Sequence, residues 1–303
     1  MKILLLGANG QVGSECRRSL ATLGELACAT RDGRLADGSD CERADFNQPD
    51  SLHALVLRIA PDVVVNAAAY TAVDKVETDR DAAFNANAKA PEAIARACTE
   101  TGAYLVHYST DYVFDGQGHH PYRPDDATAP LGVYGASKLA GEEAVRASGC
   151  AHAILRTAWV YAHHGRNFLL TMLRLAAERD ELRVVADQIG TPTPAALIAD
   201  VTAGIVACGQ RPSGTWHLTP DGQVSWHGFA QAIIDGAHQR GLLSSKPIVS
   251  PLATRDFPTP AKRPAWSVLD NTLLKRDWAV ELPTWQQGLD NVLDEIAFKA
   301  AVG

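Results

Sequence analysis

A tyrosine and a lysine stand four residues apart in the stretch GVYGASKLAGEE, and this pair is the first sign of chemistry in the chain. At that spacing Tyr134 and Lys138 share one face of a helix. A phenol has a usual pKa of about 10, and a neighbouring ammonium group favours the phenolate and lowers that pKa. The pair is therefore predicted to give a proton to an alkoxide, although most matches to this spacing are surface residues without a function.

A second polar group follows an apolar strand in the stretch LVHYSTDYVFDG. Ser109, Thr110 and Asp111 stand where the strand ends, whereas a strand that served only the core would not end in hydroxyls and a carboxylate. We predict that these side chains contact a ligand. The alternative is that the two hydroxyls cap a turn.

Three glycines lie in the stretch ILLLGANGQVGSE, between the first predicted strand and the first predicted helix. Glycine permits a positive φ at a turn and lets the backbone approach phosphate oxygens, and the helix N-terminus beyond it presents free N–H groups. In this strand–turn–helix context the loop predicts a dinucleotide site, whereas a glycine triplet alone is often an ordinary tight turn. The residues assigned to this site are Gly7, Asn9, Gly10, Gln11, Val12 and Gly13.

The residues after the second predicted strand select the dinucleotide. An acid there binds the adenosine ribose, and an arginine accepts a 2′-phosphate. Arg31 precedes Asp32 in ACATRDGR, which favours NADPH with NADH as a substitute, while a solvated loop charge is the competing interpretation. Side chains expected beside the adenine or along the sheet edge are Asp45, Phe46, Ala67, Ala68 and Ala69.

Alternating elements in the first half of the chain position these residues. Apolar runs predict strands over 3–6, 26–30, 62–66, 104–109 and 153–159, and helical spacing predicts helices over 12–23, 49–59, 79–100 and 134–147. Apolar strands flanked by helices are typical of a parallel sheet covered on both faces. The predicted fold class is α/β, a Rossmann-like doubly wound parallel sheet, which binds ligands at the carboxyl ends of its strands.

The second half is richer in proline-broken loops and short elements. This pattern predicts a smaller α+β lobe packed beside the sheet. We expect a dinucleotide-binding domain over 1–160, with its sheet completed by part of 184–210. Residues 161–303 are then mainly a substrate-binding lobe.

Composition and charge exclude several classes of protein. The chain has 303 residues, of which 46% are hydrophobic, and a net charge of −7, so nothing in its electrostatics favours nucleic acid or an anionic membrane as a partner. Its apolar runs are shorter than the ~20 residues of a membrane helix. The start of the chain does not resemble a signal peptide, and the six scattered cysteines are typical of reduced thiols, so a cytoplasmic location is expected.

The ordered motifs GANGQVG, NAAAYTAVD, HYSTDYVFDG, YGASK and LRTAWVY together resemble the extended short-chain dehydrogenase/reductase family. The resemblance implies an oxidoreductase in which Thr110 hydrogen-bonds the substrate carbonyl and Tyr134 protonates the nascent alkoxide. Lys138 would also hold the nicotinamide ribose, with Ser109 on the nicotinamide side. The function expected first is NADPH-dependent reduction of a 4-keto-6-deoxyhexose carried by dTDP.

The resemblance also implies contacts with this dTDP-sugar. Trp159 is expected against the sugar, with a buried core tryptophan as the alternative, and Arg263 at the diphosphate, with a rim salt bridge as the alternative. Glu77 is a further candidate, and Asn87 is expected to steady the helix of the active site. The substrate contacts assigned are Val73, Asp74, Thr110, Asp111, Tyr134, Trp159, Asn167 and Arg263.

A metal and a second copy of the chain also follow from the resemblance. Some family members hold magnesium at a dimer interface near an acid of the first helix, so magnesium at Glu15 and a homodimer are allowed. A solvated glutamate beside the helix dipole is the alternative. The adjacent pairs 119–120 and 163–164 are histidines, expected to point to different faces without a third ligand nearby.

Two other functions compete with reduction. A nucleotide-sugar epimerase or dehydratase would keep the fold, but a dehydratase has a second acid after Asp111, where this chain has Tyr112, and epimerases usually prefer NAD. A non-catalytic cofactor-sensing subunit is the third possibility. It would gain nothing from the intact set Thr110, Tyr134 and Lys138.

Overall fold

The computed structural model describes residues 1–302, and short strands alternate with helices along this range. The strands are β1 Lys2–Leu6, β2 Glu25–Thr30, β3 Glu42–Arg43, β4 Val63–Asn66, β5 Tyr104–Thr110, β6 His152–Thr157, β7 Val160–Tyr161, β8 Glu181–Val185, β9 Ile189–Gly190, β10 Thr193–Pro194, β11 Gly214–His217, β12 Val224–Ser225 and β13 Ile248–Leu252. The helices are α1 Gln11–Leu20, α2 Pro49–Ile59, α3 Arg80–Phe84, α4 Ala90–Thr101, α5 Val133–Ser148, α6 Phe168–Glu178, α7 Ala195–Ala207, α8 Trp226–Gln239, α9 Thr272–Trp278 and α10 Trp285–Val302.

Seven strands form one sheet in the order β11-β6-β5-β4-β1-β2-β3. Every neighbouring pair in it runs parallel. The strand order reverses at β1, between β2 and β4, and in open α/β sheets a ligand binds at this switch point. The predicted Rossmann-like doubly wound sheet is confirmed.

Helices cover both faces of the sheet because its central strands are apolar on both sides. All four residues of β4 and all seven of β5 are buried. On α2 the buried residues Leu52, Leu55, Val56 and Ile59 recur at helical spacing, and they join the core that also contains α4 side chains. The opposite face packs against α1 and α7.

A separate hydrophobic core lies in the second half of the chain. It contains Phe229 and Ile233 of α8, Leu169 of α6 and Leu293 of α10, together with residues of β8 and β13. Strands β8 and β13 pair parallel to each other. These elements form the α+β lobe that the sequence predicts, while the domain boundaries themselves stay a prediction.

The element that completes the sheet differs from the expected one. Residues 184–210 add no strand to the sheet, so that prediction was wrong. Besides the short strands β9 and β10 they form α7, which packs on α1, and the seventh strand of the sheet is β11. The helix predicted over 79–100 is interrupted by a π-helical turn at Asn85–Lys89. Among residues 1–302, no helix is both long enough and apolar enough to cross a membrane.

Candidate active site

The glycine loop after β1 makes the tight turn that its sequence predicts. Gly7 adopts a φ of +80°, and a Cβ there would lie 2.8 Å from the backbone nitrogen of Ala68. Another residue type would therefore push the loop away from the end of β4. Gly10 precedes α1 and offers no side-chain cap to the first turn of that helix, so this turn can receive an anionic ligand.

A cavity of about 550 Å³ opens above this loop, at the carboxyl end of the sheet. Glycine backbone, small alanines and the exposed Arg31 line it, which suits the phosphates and the flat rings of a dinucleotide. Its lining includes the predicted residues Gly7, Asn9, Gly10, Arg31, Phe46, Ala67, Ala68 and Ala69. The residues present thus fit a nicotinamide dinucleotide.

Two carboxylates near the adenine end have different surroundings. Asp45 is not part of the cavity lining, since its carboxylate accepts from the backbone N–H of Asn47 at 3.0 Å and from Gln48 Nε2 at 3.2 Å. Asp32 does line the cavity, and the hydroxyl of Thr30 donates to it at 2.9 Å, which lowers the pKa of the carboxyl. An acid and an arginine are thus both present at the end of β2.

A second cavity of about 490 Å³ shares Gly10, Ala67 and Ala69 with the first, so the two run together along the sheet edge. The three residues expected to be catalytic lie on its wall. The predicted residues in its lining are Gln11, Val12, Val73, Ser109, Thr110, Asp111, Tyr134, Lys138, Trp159 and Arg263. Gly13 lies behind the loop in α1, where it is buried.

Thr110 and Tyr134 come from different elements. Thr110 ends β5, and Tyr134 lies in the first turn of α5, with Lys138 one turn further along. The Tyr134 ring packs edge-on against the Tyr112 ring, with 5.6 Å between the ring centres. This places a hydroxyl, a phenol and an ammonium group around one space.

Burial shifts the pKa of both members of the pair. Burial raises the pKa of Tyr134 to about 12, against a smaller lowering effect of the Thr110 hydroxyl. Burial also lowers the pKa of Lys138 to about 8, and its ammonium group donates to the carbonyl oxygen of Tyr108 at 2.6 Å. The lowering of the phenol pKa that Lys138 is expected to cause stays a prediction, and in this structure desolvation has the largest effect on that pKa.

Asp111 lies beside Thr110 and is 2% exposed. The Thr110 hydroxyl donates to Asp111 Oδ1 at 2.9 Å and accepts from the backbone N–H of Tyr112 at 3.2 Å. Burial raises the pKa of Asp111 to about 6, although the hydroxyls of Ser267 and Thr110 oppose this shift. Asp111 is thus an acceptor that holds Thr110 at the cavity wall.

Two side chains, Glu77 and Asn87, fix the helix that carries Tyr134 and Lys138. Glu77 Oε1 accepts from the backbone N–H of Val133 at 2.9 Å, so Glu77 caps α5, which differs from its expected place at the substrate. Asn87 donates to Ser137 Oγ at 3.0 Å and bonds the backbone of Tyr70, in agreement with the expected steadying role.

Deeper in the same helix, Glu142 receives two hydrogen bonds from the Arg156 guanidinium, at 2.9 and 2.7 Å. Neither partner is more than 3% exposed in its side chain. This buried ion pair joins α5 to β6, the strand beside β5.

Trp159 forms part of an aromatic wall. Its ring stacks on the Trp226 ring with 3.5 Å between centres and 8° between planes. The residue has a φ of +47°, and Gly190 leaves room for the ring, since a Cβ there would lie 2.6 Å from Trp159 Cε2. Trp159 is half-buried rather than a core residue, which keeps its predicted contact with a sugar open.

The polar residues assigned to the substrate fall into two groups. Arg263 Nη2 donates to Asp74 Oδ2 at 2.8 Å, so Asp74 holds the guanidinium at the cavity instead of meeting a ligand alone. Asn167 caps α6 and donates to Gln11 Oε1 and to backbone carbonyls, so its amide is fully used within the protein. The neighbouring Arg166 lines the cavity in its place.

Sequence reasoning missed several residues of the second cavity. Arg166 was one position from the assigned Asn167, and the charge of a guanidinium in the loop before a helix was the available signal. Trp226 lies far along the chain, and only the fold brings it to Trp159. The lining also includes Thr71, Tyr112, Thr157 and Val160.

The side chains around the expected metal position are not the ligands that magnesium prefers. Glu15 is buried, and the imidazoles of His163 and His164 both face it, so the expectation that adjacent histidines diverge without a third ligand was wrong. Magnesium takes oxygen ligands in near-octahedral geometry. One carboxylate and two imidazoles do not fit it. The exposed pair His119 and His120 lies apart from any such group in the described residues.

Comparisons with known proteins show similarity along nearly the whole chain. Residues 1–298 match the family model described as RmlD substrate binding domain. The chain is 48% identical over 297 residues to dTDP-4-dehydrorhamnose reductase from Burkholderia thailandensis, covering 94% of this chain and 96% of that one. It is 44% identical to the enzyme of the same name from Escherichia coli K12, over the full length of both.

A solved structure is similar along the whole chain as well. The crystal structure of dTDP-4-dehydrorhamnose reductase from Bacillus anthracis, in complex with NADP, superposes with a TM-score of 0.88 at 34% identity. It covers 97% of this chain and all of that one.

Proposed function

The chain belongs to the RmlD substrate binding domain family, and from this premise we propose that it reduces the 4-keto group of dTDP-4-dehydrorhamnose to give dTDP-L-rhamnose. The relatives that carry the name dTDP-4-dehydrorhamnose reductase match it over nearly its whole length. NADPH is the proposed hydride donor. The resemblance to extended short-chain dehydrogenases/reductases agrees with the same assignment.

One observation carries the proposal. Thr110, Tyr134 and Lys138 line a cavity that runs directly into the cavity above the glycine loop. A dinucleotide in the first cavity can therefore extend its nicotinamide towards the three side chains. When bound, NADPH supplies the hydride that converts the ketone carbon to an alcohol carbon.

Tyr134 donates the proton that completes the reduction. Because burial raises the pKa of its phenol to about 12, the proton stays on the oxygen at neutral pH. An alkoxide is a much stronger base than a phenolate, so transfer to the substrate oxygen is downhill. A raised pKa also favours recovery of the proton from solvent after each turnover.

Thr110 orients and polarises the ketone from the other side. A hydroxyl has one donor hydrogen, and Thr110 directs it to Asp111 Oδ1 at 2.9 Å. Substrate binding would turn this hydrogen to the carbonyl oxygen, while Asp111 accepts from a sugar hydroxyl instead. A donor at this point stabilises the negative charge that develops on the oxygen.

The charged end of the substrate meets two arginines. Arg166 and Arg263 lie on the cavity wall, and guanidinium groups suit diphosphate oxygens. Val73 lines the same cavity and offers an apolar contact. Trp159, backed by Trp226, offers a flat apolar surface to the face of the sugar ring.

Arg31 is the proposed contact for the adenosine 2′-phosphate. It is exposed at the rim of the first cavity, where a phosphate could pair with it. Asp32, beside it, would repel that phosphate and bind a ribose hydroxyl instead. With both present, we expect NADPH to be preferred and NADH to be accepted.

A cytoplasmic location and a homodimer stay predictions. The first is supported by the six cysteines, none of which forms a disulfide within residues 1–302.

The assay that tests the function follows NADPH absorbance with purified protein and dTDP-4-dehydrorhamnose. We expect oxidation of NADPH that depends on the sugar nucleotide, formation of dTDP-L-rhamnose, and a lower kcat/KM with NADH. UDP-glucose is the control, because an epimerase would convert it without consuming NADPH. Tight NADPH binding without turnover would contradict the proposal and favour a cofactor-sensing subunit.

A further inference from the structure

Three potential metal ligands meet beside the first helix, apart from the residues used in the proposed reaction. Glu15 lies in the second turn of α1 and is 8% exposed. His163 and His164 follow β7, and the donor atoms of all three side chains lie within 4.8 Å of one another. The two imidazole rings stand edge to face, 4.6 Å apart, so neither blocks the other.

The distances between these donor atoms suit shared coordination. Glu15 Oε1 lies 3.2 Å from His164 Nε2 and 3.9 Å from His163 Nδ1. Zinc binds imidazole nitrogen and carboxylate oxygen at about 2.0–2.2 Å, so two ligands of a tetrahedral ion lie roughly 3.3–3.5 Å apart. The longer distance exceeds that of a hydrogen bond. The group therefore needs little movement to surround one ion.

The charges around the group come from the elements packed against it. Glu295 Oε2, on α10, lies 3.0 Å from His163 Nδ1 and is near enough to serve as a fourth ligand. Arg18 Nε contacts the other oxygen of Glu15 at 3.2 Å, and Lys299 contacts His163 Nε2. Lys299 is 54% exposed in its side chain and can turn away. Arg18 is also paired with Asp200 at 2.7 Å.

We propose that Glu15, His163 and His164 bind a divalent cation that accepts imidazole ligands, such as Zn²⁺, and that this site does not select Mg²⁺. Imidazole suits zinc and the later transition metals, while magnesium requires oxygen ligands. Zinc with three protein ligands and Glu295 in the fourth position makes a closed structural site.

The cation would join three separate parts of the chain. Glu15 belongs to the helix of the glycine loop, Glu295 to α10, and the histidines to the segment before α6. This segment continues into Arg166 on the cavity wall and into Asn167, which donates to Gln11 Oε1 at 2.8 Å. A bound cation is therefore expected to hold the segment that presents Arg166.

Calorimetric titration of EDTA-treated, full-length protein with ZnCl₂ tests this proposal. We expect one Zn²⁺ per chain, no displacement by a hundredfold excess of MgCl₂, and a midpoint of thermal unfolding raised by about 5 °C at saturation. His163→Asn/His164→Asn should weaken zinc binding by about tenfold or more. The matched control, His119→Asn/His120→Asn, removes an exposed pair elsewhere and should bind as the unaltered chain does.

A charge variant separates a metal site from a simple hydrogen-bonded cluster. Lys299→Met removes the cation beside His163, so zinc should bind more tightly. Zinc affinity that is the same in the two double variants would overturn the proposal, because the metal would then lie elsewhere. Absence of stoichiometric zinc binding, or equal competition by magnesium, would overturn it as well. Circular dichroism and NADPH binding verify that each variant is folded.

Discussion

Tyr134 keeps its proton at neutral pH because burial raises the pKa of its phenol to about 12. Reduction of a ketone consumes one proton, so a neutral phenol is the useful form. The same residue working in oxidation would have to lose that proton first. The environment of Tyr134 therefore keeps the phenol in the protonated form that reduction uses.

Lys138 is the cation of the active site whose pKa is lowered towards neutrality. Burial lowers the pKa of its ammonium group to about 8, so the cation is lost as the pH rises through that value. We expect kcat/KM for the reduction to fall above pH 8, since this parameter reports groups of the free enzyme. Tyr134 would cause no loss until a much higher pH.

Initial rates at limiting dTDP-4-dehydrorhamnose between pH 6.5 and 10 measure this dependence. Intrinsic fluorescence over the same range is the control for loss of structure. A profile that stays level through pH 9.5 would mean that the charge of Lys138 is not needed.

The types and order of the catalytic residues were predictable, but their partners were not. Thr110, Tyr134 and Lys138 were identified from short motifs because each motif lies within one turn or strand end. The contact of Lys138 with the Tyr108 carbonyl and the capping role of Asn167 depend on neighbours that the chain brings together only when folded. Residue type alone could not distinguish Asn167 from Arg166 as the ligand contact.

Helix α5 holds the catalytic pair in place through buried polar contacts. The side chains of Glu142 and Arg156 are 0% and 3% exposed and form two hydrogen bonds between α5 and β6. Burial opposes the charge of Glu142, but the Arg156 guanidinium outweighs it and lowers the carboxyl pKa. The contribution to stability is therefore present above the pKa of an unfolded glutamate and is lost as pH falls through the lowered value.

Glu142→Gln should lower the free energy of unfolding by about 3–5 kcal/mol, because it leaves the Arg156 charge buried without its partner. Urea unfolding at pH 7 measures this change. Glu143→Gln is the matched control, since Glu143 is the exposed neighbour in the same helix and its loss should cost at most about 0.5 kcal/mol. Equal stability of the two variants would contradict the role of the ion pair in holding α5 in place.

The elements of the first half were largely predictable from periodicity, and the exceptions have physical causes. The two residues of β3 are too few to form a pattern. The π-helical turn at Asn85–Lys89 follows the same helical spacing as its neighbours, so nothing local reveals the interruption. The strand β11 lies in the second half of the chain, and the sequence alone does not show that it joins this sheet.

At the scale of the whole molecule, the parallel sheet brings the residues of the site together at one edge. The glycine loop, Phe46, the alanines after β4 and the polar end of β5 all lie at carboxyl ends of strands. The second half of the chain adds Trp226 and Arg263 to the same space. One continuous site therefore has its cofactor half built by the sheet and its substrate half shared with the lobe.

The two cavities are continuous, but Tyr134 lies at the reacting end and not at the phosphate end. Loss of its hydroxyl is therefore expected to lower turnover without weakening cofactor binding. Tyr134→Phe removes the proton donor but keeps the ring that packs on Tyr112. Tyr104→Phe is the matched control, since Tyr104 donates its hydroxyl to Pro212 at the far end of β5. It should leave turnover unchanged.

Turnover and NADPH affinity of Tyr134→Phe, measured together with dTDP-4-dehydrorhamnose as substrate, test the central claim most directly. We predict that kcat falls by about two orders of magnitude or more while the Kd for NADPH changes by less than about threefold. Full turnover in Tyr134→Phe, or a parallel loss in Tyr104→Phe, would contradict the role of this phenol as the proton donor.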